Sequence, residues 1–184
     1  LFISGGATAT FNGGAFATNY TSTQGAAAVI RGGANVTFNG TVFSENLSNQ
    51  HAGALYIDAG AIVDINGGVF ANNTASSTYE GGAIGVYGGA SNFVTLTIDD
   101  VLFYGNTTPS GDGGAIDHNN YNSTIITNSL FVANSGNDGS AIMVEGTSTS
   151  NLDIIGSTFT ANSGADDVIQ IATTTHDVNI SNTI

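Results

Sequence analysis

The sequence of 184 residues contains no cysteine, one proline and one basic residue, Arg31, against 14 acidic residues. The lack of cysteine excludes disulfides and thiolate metal sites. The net charge of −13 excludes nucleic acid as a partner, because nucleic acid is bound through Lys and Arg side chains. No apolar run is long enough for a transmembrane helix, so we expect no direct membrane insertion by this segment.

Residues that favour α-helices are also scarce, whereas Gly, Val, Ile, Thr, Phe and Asn are frequent, a composition typical of strands joined by tight turns. A motif, Phe-x-x-Asn, recurs with its phenylalanines 27, 27, 33, 28 and 28 residues apart. Its six copies are Phe16/Asn19, Phe43/Asn46, Phe70/Asn73, Phe103/Asn106, Phe131/Asn134 and Phe159/Asn162. Such a period indicates a solenoid, in which stacked repeats bury the apolar face that one repeat cannot bury alone.

A second motif, Gly-Gly-Ala-Ile, lies between the copies and is intact at Gly81–Ile84 and Gly113–Ile116. Around the two motifs, apolar residues alternate with polar ones in three strand-like stretches per repeat. The sequence therefore predicts an all-β fold, a right-handed parallel β-helix with 27–28 residues and three strands per turn. We call one turn a rung and expect six to seven rungs, with stacked phenylalanines in the core and a ladder of stacked Asn side chains at one corner.

The phase of the motifs predicts that residues 1–184 form a single solenoid segment. Leu1–Ile3 aligns with Leu55–Ile57, and Val178–Ile180 aligns with Leu152–Ile154, so the segment starts and ends in the middle of a rung. Because solenoids need capping repeats with polar outer faces, we expect it to be part of a longer chain or of a filament.

The sequence offers few groups for catalysis. We expect His51, His118 and His176 to lie apart, and the pair Asp99–Asp100 to serve a turn. We expect the Arg31 side chain to form a surface ion pair with Asp58. The prediction is therefore a protein that is not an enzyme, with no catalytic residues and no cofactor.

One set of acidic residues suggests a cation site. The turn before the glycine motif ends in Glu80, Asp112 and Asp138 in three successive rungs, and carboxylate oxygens suit Ca²⁺. These residues are weak candidates for calcium binding. The favoured alternative is a solvated acidic edge.

The paired Gly-Gly-Ala-Ile and Phe-x-x-Asn repeats resemble those in the passenger domains of chlamydial polymorphic outer membrane proteins, which are autotransporters. The resemblance covers nearly the whole chain and implies a β-helix that is displayed at the cell surface and takes part in adhesion. The partners that it implies are surface molecules or glycans of a host or a neighbouring cell.

We therefore expect a non-enzymatic extracellular or cell-surface protein, an adhesin or a display stalk. Two alternatives stay open: a structural subunit of an extracellular filament that binds copies of itself end to end, and a carbohydrate-active β-helix enzyme. The variable turns over Thr74–Glu80 and Val86–Phe93 are the expected binding surface, because loops on a rigid scaffold carry function.

Overall fold

The computed structural model describes residues 1–76, 78 and 80–184. In these residues the chain winds into a right-handed parallel β-helix of about seven rungs, and every pairing between its strands is parallel. The predicted fold class is thus confirmed. No helix in the described part of the chain is long and apolar enough to cross a membrane.

Four sheets run along the axis, each taking one strand from successive rungs. Sheet 1 consists of β2 (Thr8–Asn12), β6 (Asn35–Asn39), β10 (Ile62–Asn66), β14 (Val94–Asp99), β17 (Asn122–Thr127), β20 (Asn151–Ile155) and β23 (Asp177–Ser181). Sheet 2 consists of β3 (Ala15–Ala17), β7 (Val42–Ser44), β11 (Val69–Ala71), β15 (Leu102–Tyr104), β18 (Leu130–Val132) and β21 (Thr158–Thr160). Sheet 3 consists of β1 (Phe2–Ile3), β5 (Ala28–Ile30), β9 (Leu55–Asp58), β13 (Ile84–Tyr87), β16 (Ile116–His118), β19 (Ile142–Val144) and β22 (Ile169–Ile171). Sheet 4 consists of β4 (Tyr20–Thr21), β8 (Leu47–Ser48) and β12 (Thr74–Ala75).

Sheet 4 is an addition to the three strands per rung that the sequence predicts. It begins directly after the Asn of Phe-x-x-Asn. Beyond β12 it continues as single bridges that join Thr74 to Thr107, Thr107 to Ser135, and Ser135 to Ser163. Strands of two residues are too short to show an alternating pattern, so periodicity could not identify them.

The register follows the repeat. In sheet 1, Val63 pairs with Val36 and Leu96, and all three side chains are buried. Asp64, the next residue along β10, points outward and is half-buried. Equivalent residues of neighbouring rungs therefore stack on one another, as the period-two alternation predicts.

The phenylalanines of the repeat form a continuous stack inside sheet 2. The rings of Phe43 and Phe70 are 4.6 Å apart, those of Phe70 and Phe103 are 5.0 Å apart, and those of Phe103 and Phe131 are 4.6 Å apart. The planes of these pairs differ by no more than 12°. All four side chains are fully buried, and each such burial stabilises the fold by about 1.5–3 kcal/mol.

The asparagines of the repeat form the predicted ladder. The Asn106 amide nitrogen donates to Asn134 Oδ1 at 2.9 Å and to the carbonyl of Phe70 at 2.9 Å. Asn106 Oδ1 in turn accepts from the backbone nitrogen of Asn73 at 3.0 Å and from its side-chain nitrogen at 2.9 Å. The same pattern links Asn46 to Asn73. Each internal Asn thus satisfies the buried polar groups of a bend.

The two glycines of the second motif have different roles. Gly81 has a φ of +76°, a left-handed conformation that glycine adopts without strain. At Gly82 a Cβ would lie 2.1 Å from the carbonyl oxygen of Gly114 in the next rung. The first glycine therefore allows the turn, and the second allows the rungs to approach closely.

Candidate functional site

The three acidic residues that the sequence predicts as calcium ligands lie in adjacent rungs. Backbone hydrogen bonds link Gly81 to the carbonyl of Asp112, and Gly113 to the carbonyl of Asp138. Glu80 nevertheless separates from the other two. Asp112 Oδ1 accepts from the backbone nitrogen of Asp138 at 2.9 Å, whereas Glu80 turns towards sheet 3.

The outer face of sheet 3 is covered in its middle rungs. Tyr56, Gly85, Asp117 and Met143 stack in register along this face, where alternation predicts solvent exposure. Asp117 is 0 % exposed and Met143 is 4 % exposed. The outer face of sheet 3 is therefore closed to solvent at Asp117 and Met143.

Tyr87 supplies much of the cover, and Gly85 makes room for it. Its ring stacks on Tyr56, with ring centres 5.1 Å apart and planes 21° apart. A Cβ at Gly85 would lie 2.7 Å from Cε2 of Tyr87, so any side chain there would displace the ring. The Tyr87 hydroxyl is hydrogen-bonded to His51 Nδ1 at 2.9 Å.

Three carboxylates meet beside this ring. Glu80 precedes β13, Asp117 lies on β16 and Glu145 follows β19, so three successive rungs contribute one each. One ligand oxygen from each lies within 4.8 Å of the others. We call these three residues the acidic cluster. Its members Glu80 and Glu145 are half-buried, and both reach the solvent.

Two members of the acidic cluster have polar partners. Glu80 Oε2 is 3.1 Å from His51 Nδ1, and the Asn119 side chain donates to Glu145 Oε1 at 2.6 Å. In the part of the chain that the structure describes, neither oxygen of Asp117 has a partner with the geometry of a hydrogen bond, although the Tyr87 hydroxyl is close enough to lower its pKa. A buried carboxylate without a partner is strongly destabilising.

The electrostatics of the cluster reflect this burial. Burial raises the pKa of Asp117 well above its usual range, and the negative charge of Glu145 raises it further. Burial also raises the pKa of Glu145, followed by the charge of Glu80. Burial, and then the charge of Asp117, raises the pKa of Tyr87. Each negative charge in the acidic cluster therefore raises the free energy needed to ionise the neighbouring groups.

Two of the histidines come together, contrary to the expectation that all three lie apart. The rings of His118 and His176 are 5.6 Å apart. His118 is fully buried, and its Nε2 lies 3.0 Å from the carbonyl oxygen of Asn151. Burial, and then the neighbouring His176, lowers the pKa of His118 to about 3. His118 is thus a neutral core residue inside an apolar column, between Val86 and Val144.

The remaining charged candidates have structural partners. Asp99 accepts hydrogen bonds from the Thr127 hydroxyl at 2.6 Å and from the Asn128 side chain at 2.9 Å, and these bonds lower its pKa. Arg31 forms the predicted ion pair with Asp58 at 3.0 Å.

The sequence held a signal for the acidic cluster. Asp117 is the only charged residue in the column that also contains Tyr56, Gly85 and Met143. A glycine two residues before Tyr87 indicates that a large side chain folds back over the strand. Neither signal predicts that Glu80 and Glu145 approach Asp117, because these two residues reach the site from turns two rungs apart.

Comparison with known families identifies the repeat. Residues 100–118 match the sequence model of the Chlamydia polymorphic membrane protein (Chlamydia_PMP) repeat. The matched residues hold Phe103, Asn106 and Gly113–Ile116, one copy of each motif. No curated protein and no solved structure matches the chain. The chain carries repeats of the polymorphic membrane protein type, as its motifs predict.

Proposed function

We propose that this chain is a non-enzymatic β-helix of the cell surface that presents its variable turns for adhesion. The observation that carries the proposal is the family match at residues 100–118, because that repeat belongs to surface-exposed, autotransporter-like proteins. Phe103 and Asn106 of the matched rung stack in register on their equivalents in the neighbouring rungs. The matched rung is therefore representative of the whole array.

The distribution of acidic groups supports a scaffold over a hydrolase. Glycoside hydrolysis needs two carboxyl groups about 5–9.5 Å apart that a sugar chain can reach. Asp64 and Asp153 lie on β10 and β20, with β14 and β17 between them. One oxygen of each carboxylate in the acidic cluster lies within 4.8 Å of the others, below the separation that hydrolysis needs, and Asp117 is fully buried. A polysaccharide in solution cannot contact its oxygens.

The predicted turn Val86–Phe93 begins two residues later in the structure, because Val86 and Tyr87 end β13, and the turn at residues 88–93 is the best candidate for the adhesive surface. It belongs to the rung with the 33-residue spacing, and it closes on itself through a bridge between Gly89 and Asn92. The Phe93 side chain is 48 % exposed, with one edge against Tyr121 at a ring distance of 5.7 Å. Aromatic side chains, Phe included, are enriched at protein interfaces relative to the rest of the surface. Part of the other predicted turn, residues 77 and 79, lies outside the described residues.

Bead adhesion tests the proposal. Beads coated with the purified chain should bind cultured host cells or immobilised glycans above the level of bare beads. Phe93→Ser should reduce the number of bound beads several-fold. Tyr104→Ser is the matched control, because Tyr104 is an aromatic residue of similar exposure (47 %) on sheet 2, and it should leave binding unchanged.

The same material distinguishes the alternatives. Electron microscopy of the native protein should show single stalks at the cell surface. Long filaments with no adhesion would favour the structural subunit, and release of sugar fragments from a polysaccharide would favour the enzyme. Either result would refute the proposal.

A further inference from the structure

We propose that the acidic cluster of Glu80, Asp117 and Glu145 is a calcium site that clamps three successive rungs of sheet 3. The inference is independent of adhesion, since it concerns a binding site built into the scaffold. It begins from the spacing of the donors. Two oxygens that each lie about 2.4 Å from one Ca²⁺ are at most about 4.8 Å apart, and the three carboxylates of the cluster fall within this limit.

The buried member of the cluster is the second, separate observation. Asp117 is 0 % exposed, and no described residue meets the geometry of a hydrogen bond to either of its oxygens, although the Tyr87 hydroxyl lies close enough to lower its pKa. A carboxylate in this position is stable only if a cation or a proton neutralises it. The single Lys or Arg of the chain, Arg31, is already paired with Asp58.

The surroundings favour a metal ion that prefers oxygen. The two outer members, Glu80 and Glu145, are half-buried and reach the solvent, which gives an ion a path to Asp117. The Asn119 side chain fixes Glu145 by a hydrogen bond of 2.6 Å, so one outer ligand is already oriented. Tyr87 lies over Gly85 on the same face of sheet 3, close to Asp117. Carboxylate oxygens are the donors that Ca²⁺ prefers.

Calorimetry gives the direct test. CaCl₂ titrated into the chain after treatment with EDTA and desalting should bind at one site per chain. We expect a Kd of about 10⁻⁴–10⁻³ M, the range of extracellular calcium modules. Ca²⁺ at about ten times this Kd should raise the Tm by about 3–6 °C. The same concentration of MgCl₂ should have little effect, because Mg²⁺ gives up its water reluctantly.

Asp117→Asn separates the calcium site from a structural role. The amide keeps the shape of the side chain, so Ca²⁺ should bind at least tenfold more weakly while the fold is retained. Without calcium, the Tm of this variant should equal or exceed that of the original chain, because the amide avoids the cost that burial imposes on the charged form of Asp117. Asp64→Asn is the matched control, since Asp64 lies on the outer face of sheet 1 and should leave calcium binding unchanged.

The calcium site can be tested whether or not the Asp117→Asn variant folds. If Asp117→Asn loses the β-sheet signal in circular dichroism, Glu145→Gln provides the same comparison at a half-buried position. Terbium, which replaces calcium, should luminesce when tyrosine is excited, and Tyr87→Phe should weaken this emission while Tyr104→Phe should not. Absence of calcium binding, or a calcium response that survives both Asp117→Asn and Glu145→Gln, would overturn the proposal.

Discussion

The hydrogen bonds of the Asn ladder predict how much unfolding free energy is lost when one of its members is removed. Asn106→Ala removes the acceptor of two buried donors, the backbone N–H of Asn73 and one hydrogen of its side-chain amide. Each buried donor without a partner costs about 1–3 kcal/mol, so the variant should lose about 2–6 kcal/mol of unfolding free energy. The carbonyl of Phe70 also loses one of its donors.

Urea unfolding followed by circular dichroism measures this loss. The matched control is Asn19→Ala. Asn19 is exposed and donates to Asn46. Among the described residues, no Asn of the ladder donates to Oδ1 of Asn19, so its removal leaves no buried donor without a partner. This control should lose about 0.5 kcal/mol or less. A loss below about 1 kcal/mol for Asn106→Ala, or equal losses for the two variants, would refute the reasoning.

Asn106→Asp adds a test of the mechanism. The carboxylate keeps the acceptor for Asn73 but can no longer donate to Phe70 and Asn134. It also places a negative charge at a site that is 0 % exposed. We therefore expect Asp to be less stable than Ala near neutral pH, and to recover in acid, where protonation restores a donor. An Asp variant as stable as the original chain would show that donation along the ladder does not matter.

Two further predictions concern close contacts and buried charge. Gly82→Ala should destabilise the fold by about 3 kcal/mol or more in the same urea assay, because its Cβ would meet the Gly114 carbonyl. Gly89→Ala is the control, since a Cβ at Gly89 would meet open space, and it should change stability by about 0.5 kcal/mol or less. The unfolded chain protonates His118 near pH 6.5 and the folded chain only near pH 3, so stability should fall as the pH drops through this window. Relative to His118→Gln, the original chain should lose about 2 kcal/mol between pH 7.5 and pH 5, and parallel pH profiles for the two would contradict the buried neutral histidine.

The repeated columns made most of the fold predictable from sequence. Phe70 and Asn73 could be assigned to a core stack and a corner ladder because their equivalents recur in phase, and repetition averages out local ambiguity. The turn within Phe-x-x-Asn was not predictable in the same way. The residue before the Asn has positive φ in every rung, yet it is Thr18, Glu45 or Ala133 as readily as Gly105. Hydrogen bonds to the neighbouring rungs impose this conformation, so the residue type carries little signal.

The acidic cluster was only partly predictable. Alternation places Asp117 on the outer face of its strand correctly, but an outer face is assumed to be solvated. Its burial results from a bulky ring folding over a glycine, together with side chains that converge from turns two rungs apart. Such convergence depends on side-chain directions in three dimensions, which the aligned repeats of the sequence do not specify. The prediction from Glu80, Asp112 and Asp138 therefore identified one of the three residues that meet.

The register of the array has an evolutionary consequence. Because each rung contacts its neighbours through equivalent residues, gain or loss of a whole repeat by unequal recombination preserves every column. Joining Phe103 directly to Val132 would remove 28 residues and still leave the motif Phe-x-x-Asn ending at Asn134. Loss of a single residue within a strand would instead turn its apolar side chains outward. Such genes are expected to vary in length by whole rungs, with smaller insertions confined to turns such as Val86–Phe93.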